Sequence, residues 1–162
     1  MAWENLHQKA ILNIYSKMGI NTSSLRLFNV YGPGQNMKNL RQGMVSIYMA
    51  YILKNEEVLV KGSGERFRDF IYIDDVIDLF IICIDNPRSY GNVYNVGTGV
   101  KTTVNDLIKL MLELFGYVPH EYPVKFSGST PGDIFGIYAD ITRIKEDLGW
   151  MPRVTLKEGL KK

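Results

Sequence analysis

Arg68 stands beside Asp69 at the start of an apolar run, just after the turn Gly62-Ser63-Gly64. A guanidinium there suits a phosphate or carboxylate, because its planar fork donates two parallel hydrogen bonds. An ion pair with Asp69, Asp74 or Asp75 is the plainer reading, and the residues alone favour it. Arg26, in mid-strand, reads as the anchor of a neighbouring loop. Asn29 closes the run Leu25-Arg26-Leu27-Phe28-Asn29, ahead of the breaker Gly32-Pro33-Gly34. In open α/β sheets ligands bind beyond the carboxyl ends of strands, so Asn29 and the loop Tyr31–Gln35 sit where a ligand is expected. A strand and tight turn with no ligand is the alternative. Asp133, in Pro131-Gly132-Asp133, reads on its own as a turn-stabilising carboxylate.

Other candidates are weaker. Gly97-Thr98-Gly99-Val100-Lys101-Thr102 follows a strand and precedes a helix, which imitates a dinucleotide fingerprint. Thr102 replaces the third glycine, and no acidic residue ends a strand about 20 positions on, so nucleotide binding there is disfavoured. Gly62-Ser63-Gly64 has no helix after it and reads as a hairpin turn. His7 and His120 have no partners at metal-ligand spacing, so no metal site is expected. No Gly-x-Ser-x-Gly elbow supports serine hydrolysis. The Met- and Tyr-rich run Met44–Leu53 fills a core or lines a cleft wall.

These residues need elements to hold them. Trp3, Leu6, Ala10, Ile14 and Met18 form a helical stripe ended by Gly19. A strand over Leu25–Asn29, a helix over Met44–Leu53 and a short strand Val58–Val60 follow. Phe67–Ile73 reads as one strand-like segment, and Asp74 or Asp75 as the cap of a helix apolar almost all round, hence buried. Gly91–Val96 is a further strand. Thr103 and Asp106 open a helix over Val104–Phe115 as a capping box, with Gly116 as its stop. Val124–Phe126 is a candidate strand. A short helix near Thr142–Leu148 ends at Gly149 and Pro152, and a second capping box, Thr155 with Glu158, opens a helix at Leu156.

The bulk numbers bound the class. A chain of 162 residues suits one domain with a real core. Its net charge of +2, without a basic block beyond Lys161-Lys162, gives no case for nucleic acid. The single Cys83 excludes a disulfide framework and suggests a reducing compartment. Val76–Ile84, the longest apolar run, contains Asp78 and is too short to span a bilayer. The first residues lack a signal-peptide pattern, so a cytoplasmic location without membrane attachment is expected.

Taken in order, Leu25-Arg26-Leu27-Phe28-Asn29-Val30-Tyr31-Gly32-Pro33, then Gly62-x-Gly64 with Arg68-Asp69-Phe70-Ile71-Tyr72-Ile73-Asp74-Asp75-Val76, then Asn92-Val93-Tyr94-Asn95-Val96-Gly97-Thr98-Gly99, resemble a known family. It is the nucleotide-sugar epimerases and dehydratases of the extended short-chain dehydrogenase/reductases. Pro131-Gly132-Asp133, Tyr138-Ala139-Asp140 and Leu148-Gly149-Trp150-x-Pro152 fit the same order. UDP-glucose 4-epimerase-like members look most similar.

The resemblance implies an α/β fold: the NDP-sugar domain with the last strands of a Rossmann sheet, as a single truncated unit over 1–162. It implies that Asn29 bonds the diphosphate of a nucleotide sugar and Arg68 clamps its phosphates. Asp133 would bind the ribose hydroxyls, and Phe28 would face the nicotinamide of NAD. The family usually has Arg three residues before that Asp as a second clamp, and here the place holds Thr130, a departure that bears on substrate affinity and identity. Family catalysis needs Tyr-x-x-x-Lys, and none of the ten tyrosines has Lys four residues on. The NAD glycine fingerprint is missing too. Aligned on Glu4-Asn5, the catalytic Lys falls just before Met1. The expectation is therefore a C-terminal half with no catalytic residue of its own, inactive alone and binding NAD weakly at best. Its N-terminal NAD-binding half would be a missing partner, and homo-association through the surface left bare is possible. The parent would be an NDP-sugar 4-epimerase. Open alternatives are a 4,6-dehydratase or reductase parent, a split-enzyme subunit, or a non-catalytic sugar-nucleotide-binding module.

Overall fold

Short β-branched and aromatic runs between glycine turns build this chain's strands, and each finds its partner far away in sequence. The computed structural model describes residues 2–38, 43–128, 132 and 134–162, with side chains from residue 7 onward. Helix α1 (Ala2–Lys17) leads into β1 (Ser24–Leu27) and β2 (Asn29–Tyr31), and then α2 (Met44–Leu53). Strands β3 (Val58–Lys61), β4 (Phe67–Arg68) and β5 (Phe70–Tyr72) precede α3 (Ile73–Asp85) and a 3-10 turn, Pro87–Ser89. Next come β6 (Val93–Val96), β7 (Thr102–Thr103), α4 (Val104–Leu114) and β8 (Val124–Ser127). Helices α5 (Thr142–Leu148) and α6 (Leu156–Gly159) close the described fold.

Pairing is mostly parallel. β1 lies beside β6, β2 beside β5 and β3 beside β8, all parallel, whereas β4 and β7 are antiparallel. Gly62-Ser63-Gly64 is thus no hairpin turn, because the strands it joins pair elsewhere. Two expected single strands are each broken in two. Leu25–Asn29 divides at Phe28, where the chain leaves β6 for β5. Phe67–Ile73 divides at Asp69, and Ile73 already belongs to α3.

β5 separates two cores. Phe70 and Tyr72 enter one, with Tyr48 and Ile52 of α2, Val58 and Val60 of β3, and Leu107 and Met111 of α4. Ile71, between them, enters the other, with Val76 and Leu79 of α3, Tyr94 and Val96 of β6, Ile144 and Trp150. Alternation along a strand buried on both faces explains the division.

Caps follow the local sequence in part. Thr103 accepts from the Asp106 amide at 3.0 Å, and its hydroxyl donates to the Asp106 carboxylate at 2.6 Å. The full reciprocal box forms at Thr155 and Glu158. The expected cap of α3 is not one. Tyr72 holds the cap position, while buried Asp75 accepts from the amides of Arg153 and Val154 at 3.0 and 3.1 Å. That contact pins the chain after α5 onto α3.

Two apolar faces differ from expectation. On α1, Leu12 is buried whereas Ala10, Ile14 and Met18 of the predicted stripe are exposed. α3 buries only the face of Val76, Leu79 and Cys83, leaving Ile77, Phe80, Ile81 and Ile84 exposed. Arg26 does act as an anchor, but to a helix: its Nε donates to Gln8 Oε1 of α1 at 2.7 Å. Among the described residues no helix is long and apolar enough to cross a membrane.

Candidate sugar-nucleotide cleft

Parallel strands end together at a cleft of about 810 Å³. Tyr31 ends β2, Lys61 ends β3 and Ser127 ends β8, and all three line it. This is the side of an open α/β sheet on which ligands bind. One wall comes from α2, whose Met44, Tyr48 and Tyr51 reach the cleft while Tyr48 and Ile52 also pack the core. The Met- and Tyr-rich run therefore serves both purposes foreseen for it.

Asn29 and Phe28 both line the cleft. Asn29 holds β2 to the kink in the chain: its backbone N–H and its Nδ2 donate to the Asp69 carbonyl at 3.0 and 3.1 Å. One of the two side-chain N–H donors is thus used to orient the amide. Arg68 is not itself part of the lining. It lies near enough to Tyr48 and Arg66, which do line the cleft, for each to act on its pKa. Its guanidinium donates to the carbonyls of Phe67 and Phe135 at 2.8 and 3.4 Å. Burial first, and then Arg66, pull its pKa below the ordinary arginine value, while Tyr48 pushes the other way.

The plain ion-pair reading of Arg68 does not describe its acidic neighbours. Asp75 holds Arg153 and Val154, and exposed Asp74 lies 3.7 Å from Lys162. Asp69 is buried completely and accepts from Thr98 N at 2.8 Å, Thr98 Oγ1 at 2.6 Å, Gly99 N at 2.9 Å and Ala139 N at 3.0 Å. This also decides the Gly97–Gly99 loop. Its amides, which a dinucleotide's pyrophosphate would need, already hold a carboxylate. Gly97 is required for another reason: a Cβ there would lie 2.5 Å from Asp69 Oδ2 and 2.6 Å from Ala139 Cβ.

Asp133 and Thr130 lie outside the described residues. Both histidines are exposed, and among the described residues no His, Cys, Asp and Glu cluster suits a metal ion. Both charged residues of the described cleft lining, Lys61 and Arg66, escaped the sequence reading. Arg66 carried a signal in its spacing, two residues before Arg68.

The cleft's chemistry is that of binding an anion. Among its described residues are a lysine, an arginine and two side-chain amides, Asn29 and Gln35, with no carboxylate, histidine or cysteine. Its phenols are poor bases near neutral pH. Burial raises Tyr48, against the opposing pull of Arg66 and Arg68, and burial raises Tyr31 further, helped by Tyr72.

Compared with known proteins, residues 5–97 match the NAD dependent epimerase/dehydratase family. The chain belongs to that family. It is 34% identical over 158 residues to a putative UDP-glucose 4-epimerase of Methanocaldococcus jannaschii, a match covering 93% of this chain and 47% of that protein. The crystal structure of a UDP-glucose 4-epimerase from Thermotoga maritima with UDP-glucose superposes with a TM-score of 0.86 at 38% identity. It covers 96% of this chain and 49% of the other. A UDP-glucuronic acid 4-epimerase from Bacillus cereus, in complex with UDP-glucuronic acid and NAD, gives 0.82 at 27% identity, over 96% and 48%. This epimerase/dehydratase-family chain thus spans about half the length of the relatives it matches, and NAD binds within its family.

Proposed function

We propose that this chain is the nucleotide-sugar-binding half of an NAD-dependent NDP-sugar 4-epimerase. Asn29 and Arg68 hold the diphosphate, Asp133 the ribose hydroxyls, and Phe28 faces the nicotinamide side. The observation that carries the reading is the position of Asn29. It stands at the start of β2, two residues past the end of the parallel strand β1, in a cleft with Lys61 and Arg66, beside the segment bearing Arg68. A doubly charged diphosphate suits that combination of cations and a fixed amide. The UDP-sugars bound by the similar epimerases support uridine as the nucleoside.

The Gly97–Gly99 loop does not fit the pyrophosphate of NAD, since Asp69 occupies its amides. No cofactor-dependent step is therefore assigned to this chain. The proposal places Tyr-x-x-x-Lys and the cofactor's glycine loop in a complementary N-terminal half. Titration calorimetry with UDP tests the binding role. Asn29→Ala and Arg68→Gln are each expected to weaken UDP by about tenfold, the effect of one lost charge-assisted contact. The isolated chain supplied with UDP-galactose and NAD is expected to show no turnover; measurable epimerisation would refute the half-enzyme reading.

A further inference from the structure

Gln35 lies in the loop after β2, half-buried, and lines the cleft. Among the described residues its carboxamide has no hydrogen-bond partner. Gly43, at the cap position of α2, makes room for it. The backbone there is left-handed at φ +85°, and a Cβ would run into Gln35 Nε2 and lie 2.6 Å from Ser46 Oγ. The amide is thus packed against the start of α2 without bonding its backbone. Its two donors and its acceptor are open to whatever enters the cleft.

Two parts of the lining differ in charge. Lys61 ends β3, and Arg66 is held against it, its guanidinium donating to the Lys61 carbonyl. Phe28, Asn29, Tyr31 and Gln35, on β2 and the chain to either side of it, carry no charge. A nucleotide sugar is divided in the same way, into a doubly charged diphosphate and a neutral ring of hydroxyls. A ring that is to be oxidised lies on the nicotinamide side, which the proposed function gives to Phe28. A hydroxyl both donates and accepts. A carboxamide does both from one planar group, so a single side chain can bond two neighbouring hydroxyls.

We propose that Gln35 binds hydroxyls of the hexose and thereby helps select the sugar that this cleft accepts. The inference rests on the function proposed above and adds to it a residue that reads the sugar rather than the diphosphate.

Calorimetry of the whole chain with UDP and with UDP-glucose, wild type against Gln35→Met, tests it. Methionine keeps the length of the side chain and removes its donors and acceptor. UDP is expected to bind Gln35→Met within about twofold of wild type, and UDP-glucose about tenfold more weakly, the effect of one lost hydrogen bond. An unchanged ratio of the two dissociation constants would overturn the inference. Losses shared by both ligands would give that result if Gln35 only braced the loop, and so would no loss at all. A wild-type chain that binds UDP but not UDP-glucose would also overturn it, leaving the diphosphate to Asn29 and Arg68. A wild-type chain that binds neither would remove this inference and the proposed function together.

Discussion

At the scale of single residues, Asp69 has the widest reach. A carboxylate with no exposure survives burial only when donors surround it, and the backbone at Thr98, Gly99 and Ala139 together with the Thr98 hydroxyl supplies them. Its own carbonyl meanwhile orients Asn29. One residue thus ties the end of β6 and the stretch before α5 to the floor of the cleft. Asp69→Ala would leave three buried or half-buried N–H groups without their acceptor. It is expected to cost about 3 kcal/mol or more, at roughly 1–3 kcal/mol per orphaned donor. Urea denaturation of wild type and variant measures this, and a loss below about 1 kcal/mol would contradict the hub described for Asp69.

Elements are joined by clasps of the same kind. Tyr94 of β6 is buried, with its hydroxyl 3.0 Å from Asp147 Oδ2 of α5 and 3.2 Å from the Arg88 carbonyl. Burial and then Asp147 push its pKa from 10.0 up to about 12. A proton held more tightly in the folded state than in the unfolded one stabilises the fold at low pH. That contribution is complete below the unfolded pKa and is lost as pH rises through the folded value. Stability is therefore expected to fall between pH 10 and about 12. Tyr31, Tyr48 and Tyr122 are raised as well and add to the decline. Tyr94→Phe should be less stable at neutral pH but show a shallower alkaline slope, which urea unfolding across that range would read out. An unchanged slope would mean that Tyr94 is not part of the effect.

For the whole molecule, the informative feature is apolar surface. Ile14 of α1 and Met18 just past its end are 58% and 66% exposed, and Ile81 and Ile84 of α3 are 58% and 68% exposed. β1 and β6 form a two-stranded parallel sheet, an arrangement that proteins normally extend and cover on both faces. Exposed apolar faces on this scale favour association. The isolated chain is expected to self-associate with rising concentration, and a double substitution, Ile14→Glu with Ile84→Glu, to shift it toward monomer. Sedimentation velocity would decide, and a wild-type chain that stays monomeric at about 100 μM, where a weak interface with Kd near 10 μM would already fill, would argue against these faces as interfaces.

Local pattern was enough to place most of the elements. The 3.6-residue period, the caps at Thr103 and Thr155 and the glycine stops are interactions between near neighbours, so α2, α4, α5 and β3 stand close to where their residues imply. Asn29 reads in the sequence as the last residue of a single strand, but it opens β2, because the chain changes strand partner at Phe28. What tertiary structure alone decided is which of two plausible partners each polar group takes. Asp69 lies beside Arg68 in the chain, yet bonds Ala139, 70 positions away. The Gly97–Gly99 loop has the composition of an anion cradle but receives that protein carboxylate. Phe28 and Asp69 break their strands because the neighbouring strand changes there. An amphipathic period shows that a helix has an apolar face, and only packing shows whether anything covers it. Sequence spacing reports neighbours along the chain, whereas pairing and burial arise from contacts between segments dozens of residues apart.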